Sequence, residues 1–127
     1  MEKILVIDDH MGIRLLLSEE LMEAGYDVVG SDQTGEIFSL IEGNRPDLVV
    51  MEMKPGTAVG PAIIRDIGNR YHGLPVILWT AYPFFNAETQ SVKPDYCVTK
   101  NSDLSELKSR IRWALDGRSG LGNPAPR

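Results

Sequence analysis

Five short apolar runs, alternating with helical patterns, constrain the fold of this chain more than any other feature. The runs are residues 3–8 (KILVID), 27–30 (DVVG), 47–51 (DLVVM), 75–79 (PVILW) and 96–99 (YCVT). Each is too short for a buried helix and rich in β-branched residues, which suits a strand covered on both faces. Between them the apolar spacing changes to three and four residues. Ile13, Leu16, Leu17, Leu21 and Ala24 form one stripe, closed by Gly25 at a helix C-terminus. Ile37, Leu40 and Ile41 predict a helix over 34–42, ended by Gly43. Ile63, Ile64, Ile67 and Tyr71 mark a third helix, and Leu104, Leu107, Ile111 and Leu115 the last, with Ser102 or Asp103 as its N-cap. KPGTAVGP over 54–61 is a loop, and Pro83 and Pro94 bracket room for about two helical turns. The order is β-α repeated five times. Apolar strands alternating with helices require a parallel sheet with helices on both faces, and right-handed crossovers make it a doubly wound α/β sandwich.

Composition narrows the function. A chain of 127 residues is one domain. With 43% hydrophobic and 24% charged residues it can build a core, which excludes disorder over most of its length. The net charge of −5, with no basic run, argues against direct nucleic-acid binding. The one cysteine, Cys97, has no internal disulfide partner, which fits a reducing cytoplasmic compartment. No apolar run is long enough to span a membrane, and no signal peptide has an apolar region that ends in Asp-Asp. Residues after Asp116 (GRSGLGNPAPR) have no periodicity, so a domain over 1–117 and a tail or linker start over 118–127 are expected.

Ligands of such folds sit at the C-terminal ends of the strands. There the sequence places Asp8 and Asp9, Glu52, Thr80, and Lys100. Three carboxylates crowded together repel one another unless a cation neutralises them, and hard oxygen donors suit Mg²⁺. A lysine nearby can clamp a phosphoryl oxygen and a hydroxyl can donate to another. Singly, each of these residues reads as a solvated loop side chain or a helix cap. Jointly, at one sheet edge, they describe a phosphoryl-transfer site in which the protein positions and neutralises.

With these elements in place the chain resembles the response-regulator receiver domain of two-component signalling over residues 1 to about 117, through ILVIDDH, PDLVVMEMKPG, VILWTA and VTKNSDLSELK. The resemblance implies a flavodoxin-like (βα)5 fold and a signalling switch rather than an enzyme. It implies that Asp8 and Asp9 hold Mg²⁺, with Asp9 favoured as the direct ligand. Glu52 stands at the phosphoacceptor position and joins the metal set with the backbone carbonyl of Lys54. Thr80 matches the switch hydroxyl, and Lys100 the lysine that pairs with the phosphoryl group. A sensor histidine kinase or phosphotransfer protein as donor, an output domain or effector protein, a cytoplasmic location and a homodimer are the associated expectations.

The sequence departs from that pattern in several places. The family carries Asp where this chain has Glu52, and the extra methylene moves the carboxylate roughly 1.3 Å outward. Such a displacement disfavours in-line attack. Two readings of Glu52 follow: a carboxylate that reaches Thr80 and Lys100 and imitates a phosphorylated Asp with about one charge instead of nearly two, or a tolerated replacement in an ordinary receiver. Pro55 comes one position early, which weakens the Lys54 carbonyl as a ligand. Asn101 follows Lys100 where the family commonly has a cis proline; a cis bond before Asn costs roughly 3 kcal/mol, so a trans bond or a strained loop is expected. The segment between Thr80 and Lys100 is about two residues short, and the switch aromatic falls on Tyr96 or is displaced by Cys97. His10 reads as a solvated loop residue, His72 as a helix end and Trp79 as core. The alternative function is a pseudo-receiver, a phosphorylation-independent interaction module. An aspartate-nucleophile phosphatase needs two acids separated by one residue, whereas Asp8 and Asp9 are adjacent, and no glycine-rich phosphate loop is present.

Overall fold

The computed structural model describes residues 1–32, 36–52, 61–80, 96–100 and 104–118. Within them the chain forms β1 (Lys3–Ile7), α1 (Met11–Glu23), β2 (Asp27–Ser31), α2 (Ile37–Asn44), β3 (Leu48–Met51), α3 (Pro61–Arg70), β4 (Val76–Thr80), β5 (Tyr96–Thr99) and α4 (Ser105–Arg118). The five strands make one parallel sheet in the order β2-β1-β3-β4-β5. The chain steps outward from β1 to β2, then crosses back to β3 and continues the other way. The reversal lies between β1 and β3, and ligands of such sheets bind outside the C-terminal ends of the strands at that point. No described helix is long and apolar enough to cross a membrane.

The strands are apolar on both faces because both are covered. Ile4, Val6, Leu48, Val50, Ile77, Trp79 and Val98 point to one side, against Leu17 and Leu21 of α1 and Leu107, Ile111 and Leu115 of α4. Leu5, Ile7, Val49, Met51, Val76 and Leu78 point to the other, against Ile37 and Ile41 of α2 and Ile64 and Ile67 of α3. This alternation is the two-residue period of a strand. All four residues of the predicted α4 stripe are buried.

Two sequence expectations are corrected. The apolar spacing of α1 places Leu16 and Ala24 in its stripe, yet Leu16 is 53% exposed and Ala24 is exposed. The run Leu15-Leu16-Leu17 fits more than one stripe, and only the sheet selects Leu17 and Leu21. The α2 helix runs through Gly43 to Asn44 and is ended by Arg45, which adopts the left-handed conformation (φ 50°, ψ 60°) before Pro46. Its amide donates to the Ile41 carbonyl, and Pro46 disfavours continued helix at Arg45. Gly25, by contrast, ends α1 as predicted, with φ 99°. The α4 N-cap candidates Ser102 and Asp103, the 54–60 loop, the 82–94 segment and the tail from 119 lie outside the described residues.

The corrected α1 register predicts unequal costs for two adjacent leucines. Leu17→Ala lowers stability by about 2–5 kcal/mol because it opens a cavity in a closed core. Leu16→Ala changes it by less than about 0.5 kcal/mol. Urea unfolding of the two variants measures the difference.

Candidate functional site

The site begins with two strands that each extend one residue further. The Asp8 amide donates to the Ser31 carbonyl at 3.0 Å and the Glu52 amide to the Ile7 carbonyl at 3.0 Å, so the sheet itself fixes both backbones. Asp8 follows the alternation of β1 and is buried, at 1% exposure. A buried carboxylate must be hydrogen-bonded and paired. Asp8 Oδ1 accepts from the His10 amide at 2.8 Å, and Asp8 Oδ2 accepts from Lys100 Nζ at 2.8 Å.

Two residues that had no assigned role support Asp8. Arg14 Nη1 donates to the Asp8 carbonyl at 2.7 Å. Its stem crosses β2 where Gly30 leaves room: a Cβ on Gly30 would lie 3.3 Å from the Arg14 side chain. His10 is exposed, as expected of a loop residue, and also caps α1, its Nδ1 accepting from the Ile13 amide at 3.2 Å. Neither contact is legible in the sequence. An arginine one turn into a helix looks like any solvated arginine.

Lys100, immediately after β5, crosses the sheet edge and binds two carboxylates at once. Its Nζ lies 2.8 Å from Asp8 Oδ2 and 2.7 Å from Glu52 Oε1, with side-chain exposures of 9%, 1% and 12% for Lys100, Asp8 and Glu52. One carboxylate oxygen from each of Asp8, Asp9 and Glu52 falls within 4.8 Å of the others. Three carboxylates and one ammonium leave a formal charge of −3 + 1 = −2, which a divalent cation would neutralise. The donor set is all oxygen, as Mg²⁺ prefers. The residues present therefore fit Mg²⁺. Without it, burial raises the Glu52 pKa above the usual carboxylate value. The hydrogen bond from Lys100 opposes this, while the charge of Asp8 and the hydrogen bond with Asp9 add to it.

That direction has a consequence for stability. A carboxyl whose pKa is raised by folding holds more protons in the folded than in the unfolded chain, so its contribution declines as pH rises through the raised value. Glu52→Gln cannot ionise. The stability of the native sequence relative to Glu52→Gln should therefore fall as pH rises above the ordinary glutamate pKa of about 4.3 in metal-free buffer, as read by urea unfolding. A difference that rises with pH would contradict the raised pKa.

Of the predicted site residues, the structure brings together Asp8, Asp9, Glu52 and Lys100. Thr80 ends β4 beside Thr99 of β5, on the same sheet edge, but its side chain is outside the description. The Tyr96 and Cys97 side chains are likewise outside it, as are Lys54 and Asn101 in full. Trp79 is core, as expected, at 4% exposure. It also does something the sequence did not suggest: its ring lies beneath the ammonium of Lys100, 5.1 Å from centroid to Nζ.

A parallel five-stranded sheet with an acidic crevice at the β1/β3 reversal can be compared with known proteins. Residues 4–112 match the family model of the response regulator receiver domain. The chain belongs to this family. Among curated relatives of this receiver domain, the sporulation initiation phosphotransferase F of Bacillus subtilis is 35% identical over 120 residues, covering 93% of this chain and 97% of that protein. Other curated relatives are transcriptional regulators of which the chain spans about half the length. Two solved structures concern the response regulator TrrA of Thermotoga maritima. In complex with Mg²⁺ and BeF it is 28% identical, with TM-score 0.80, covering 90% of this chain and 99% of that one. In complex with the histidine kinase ThkA it is 30% identical, with TM-score 0.80, covering 91% and 99%.

Proposed function

We propose that this receiver domain is the switch module of a two-component phosphorelay, with Glu52 at the phosphoacceptor position, and that it is a signalling module rather than a turnover enzyme. The observation that carries the reading is the single ammonium of Lys100 clamping Asp8 and Glu52 at the sheet edge, 2.8 and 2.7 Å away. In phosphoryl transfer the chain's own groups mainly position and neutralise. A carboxylate oxygen of residue 52 attacks phosphorus, the phosphorus–donor bond breaks, and the donor leaves with that electron pair. Lys100 then pairs with a phosphoryl oxygen, and the Thr80 hydroxyl donates to another. Asp8, Asp9, Glu52 and the Lys54 carbonyl would hold Mg²⁺, which when bound neutralises the oxygens of both carboxylates and phosphoryl group.

The same contact favours a second reading. Glu52 Oε1 already occupies the ammonium that a phosphoryl oxygen would take. The chain is then a pseudo-receiver held in one state, recognised by partners without phosphorylation. The Mg²⁺–BeF complex of TrrA suggests the experiment that separates the two. Mg²⁺ is titrated with and without beryllofluoride while amide NMR spectra are recorded. Saturable Mg²⁺ shifts around Asp8 and Asp9, followed by beryllofluoride shifts at Thr80 and Lys100, support the switch. Beryllofluoride silence with Mg²⁺ binding intact supports the fixed state. Absence of any Mg²⁺ response removes the phosphorelay reading.

The proposed donor is a sensor histidine kinase or a phosphotransfer protein. TrrA is seen with its histidine kinase, and α1 of this chain carries exposed Met11, Leu15 and Met22 along one face, beginning two residues after Asp9. Apolar side chains left exposed beside a reactive site mark a place for a partner. Because the longer relatives are transcriptional regulators, an output domain or effector protein is the proposed recipient of the signal.

A further inference from the structure

We infer that Trp79 is a positioning residue of this site: its indole face holds the Lys100 ammonium in line with Asp8 and Glu52. The inference rests on the switch reading for its function, but its geometry stands alone. An ammonium has three N–H donors. Two of them are taken by Asp8 Oδ2 and Glu52 Oε1. Lys100 is only 9% exposed, so little water is available to the remaining side. That side meets the Trp79 ring, 5.1 Å from its centroid. Of the aromatic side chains, Trp offers the strongest π-face to a cation, and the attraction grows when the cation is desolvated.

The placement follows from the sheet. Trp79 is paired in register with Val98, two residues before Lys100, so β4 and β5 bring the ring and the ammonium to one edge. The ring is buried at 4% exposure in the same core cluster as Val6, Val50 and Val98, and close packing there restricts its rotamer. Lys100 is thus gripped by two carboxylates and an aromatic face. To follow a phosphoryl oxygen it must give up Glu52 while Trp79 and Asp8 keep it at the crevice. Trp79 acts through Lys100 and does not touch the reacting atoms.

The test reads the Lys100 ammonium directly. In ¹H–¹⁵N spectra of lysine NH₃⁺ groups, an ammonium held this way exchanges slowly enough to be seen, and its loss in Lys100→Arg assigns it. In a Trp113→Phe background, Trp79 is replaced biosynthetically by mono- and difluorotryptophans, which weaken the π-face and barely alter its shape. Lys100 proton exchange should accelerate with each fluorine. In Trp79→Leu it should be faster than with Trp by about tenfold, with Trp79→Phe between. An unprotected Lys100 ammonium in the native sequence overturns the proposal, and so does an exchange rate indifferent to fluorination. Should Trp79→Leu not fold, the fluorinated series still decides. All of this is measured without Mg²⁺ or beryllofluoride. A graded exchange response in a protein that ignores both ligands would keep Trp79 as the holder of Lys100 and remove only the switch reading.

Discussion

Glu52→Asp should increase phosphorylation by acetyl phosphate in Mg²⁺ by about 100-fold over the native sequence, as followed by intact mass or phosphate-affinity electrophoresis. The reason is geometric. The sheet fixes the residue 52 backbone through its amide bond to the Ile7 carbonyl. Side-chain length therefore decides where the carboxylate ends, and the shorter Asp withdraws it by roughly one carbon–carbon bond. In the native chain the longer side chain spends that reach on Lys100 Nζ at 2.7 Å. With Asp, the ammonium keeps Asp8 and becomes available to a phosphoryl oxygen. Asp8, Asp9 and Lys100 are gathered around residue 52, so on the proposed switch reading one methylene separates the two behaviours. If Glu52→Asp gains nothing while still binding Mg²⁺, the crevice is not a latent phosphoacceptor site, and the pseudo-receiver reading stands.

The second large effect concerns the lysine. Lys100→Met should lower stability by about 3–5 kcal/mol in metal-free buffer, because it leaves the buried Asp8 carboxylate without its charge partner. Asp8 is 1% exposed and cannot rotate into water to recover the loss. Adding Mg²⁺ should return a substantial part of that stability, since a divalent cation neutralises the same oxygens and binds only the folded arrangement. The double variant Asp8→Asn with Lys100→Met should be less destabilised than Lys100→Met alone, because the most buried of the carboxylates is then no longer a stranded charge. Chemical denaturation with and without Mg²⁺ reads all three. A loss under about 1 kcal/mol for Lys100→Met, with no response to Mg²⁺, would mean that the ammonium is solvated and the three acids are not gathered around it.

Most of the architecture was legible from local pattern. Strands such as LVVM and helices such as 105–118 announce themselves because burial on both sheet faces forces unbroken apolar runs, and one-sided helix packing forces a stripe. The errors arose where local pattern admits more than one solution. Leu15, Leu16 and Leu17 are chemically equivalent, and the sheet under α1 alone ranks them. Gly43 looked like a helix end, yet the chain uses Arg45 before Pro46 for that turn.

The site divides in the same way. That Asp8, Asp9, Glu52, Thr80 and Lys100 share one edge of the sheet was determined by the sequence itself, because parallel strands all end on the same side and each of these residues terminates or follows a strand. What they do to one another was decided only by the tertiary structure. The bridges of Lys100 to Asp8 and Glu52 depend on strand order and register across 92 and 48 residues of chain, and the raised pKa of Glu52 depends on the burial that the same fold imposes. The Arg14 contact with the Asp8 carbonyl and the indole of Trp79 beneath the ammonium join residues closer in the chain, and they too exist only in the folded packing. Side-chain distances of a few ångströms carry the electrostatics of such a site. A one-dimensional pattern records which residues arrive at the edge and leaves their mutual distances to the fold.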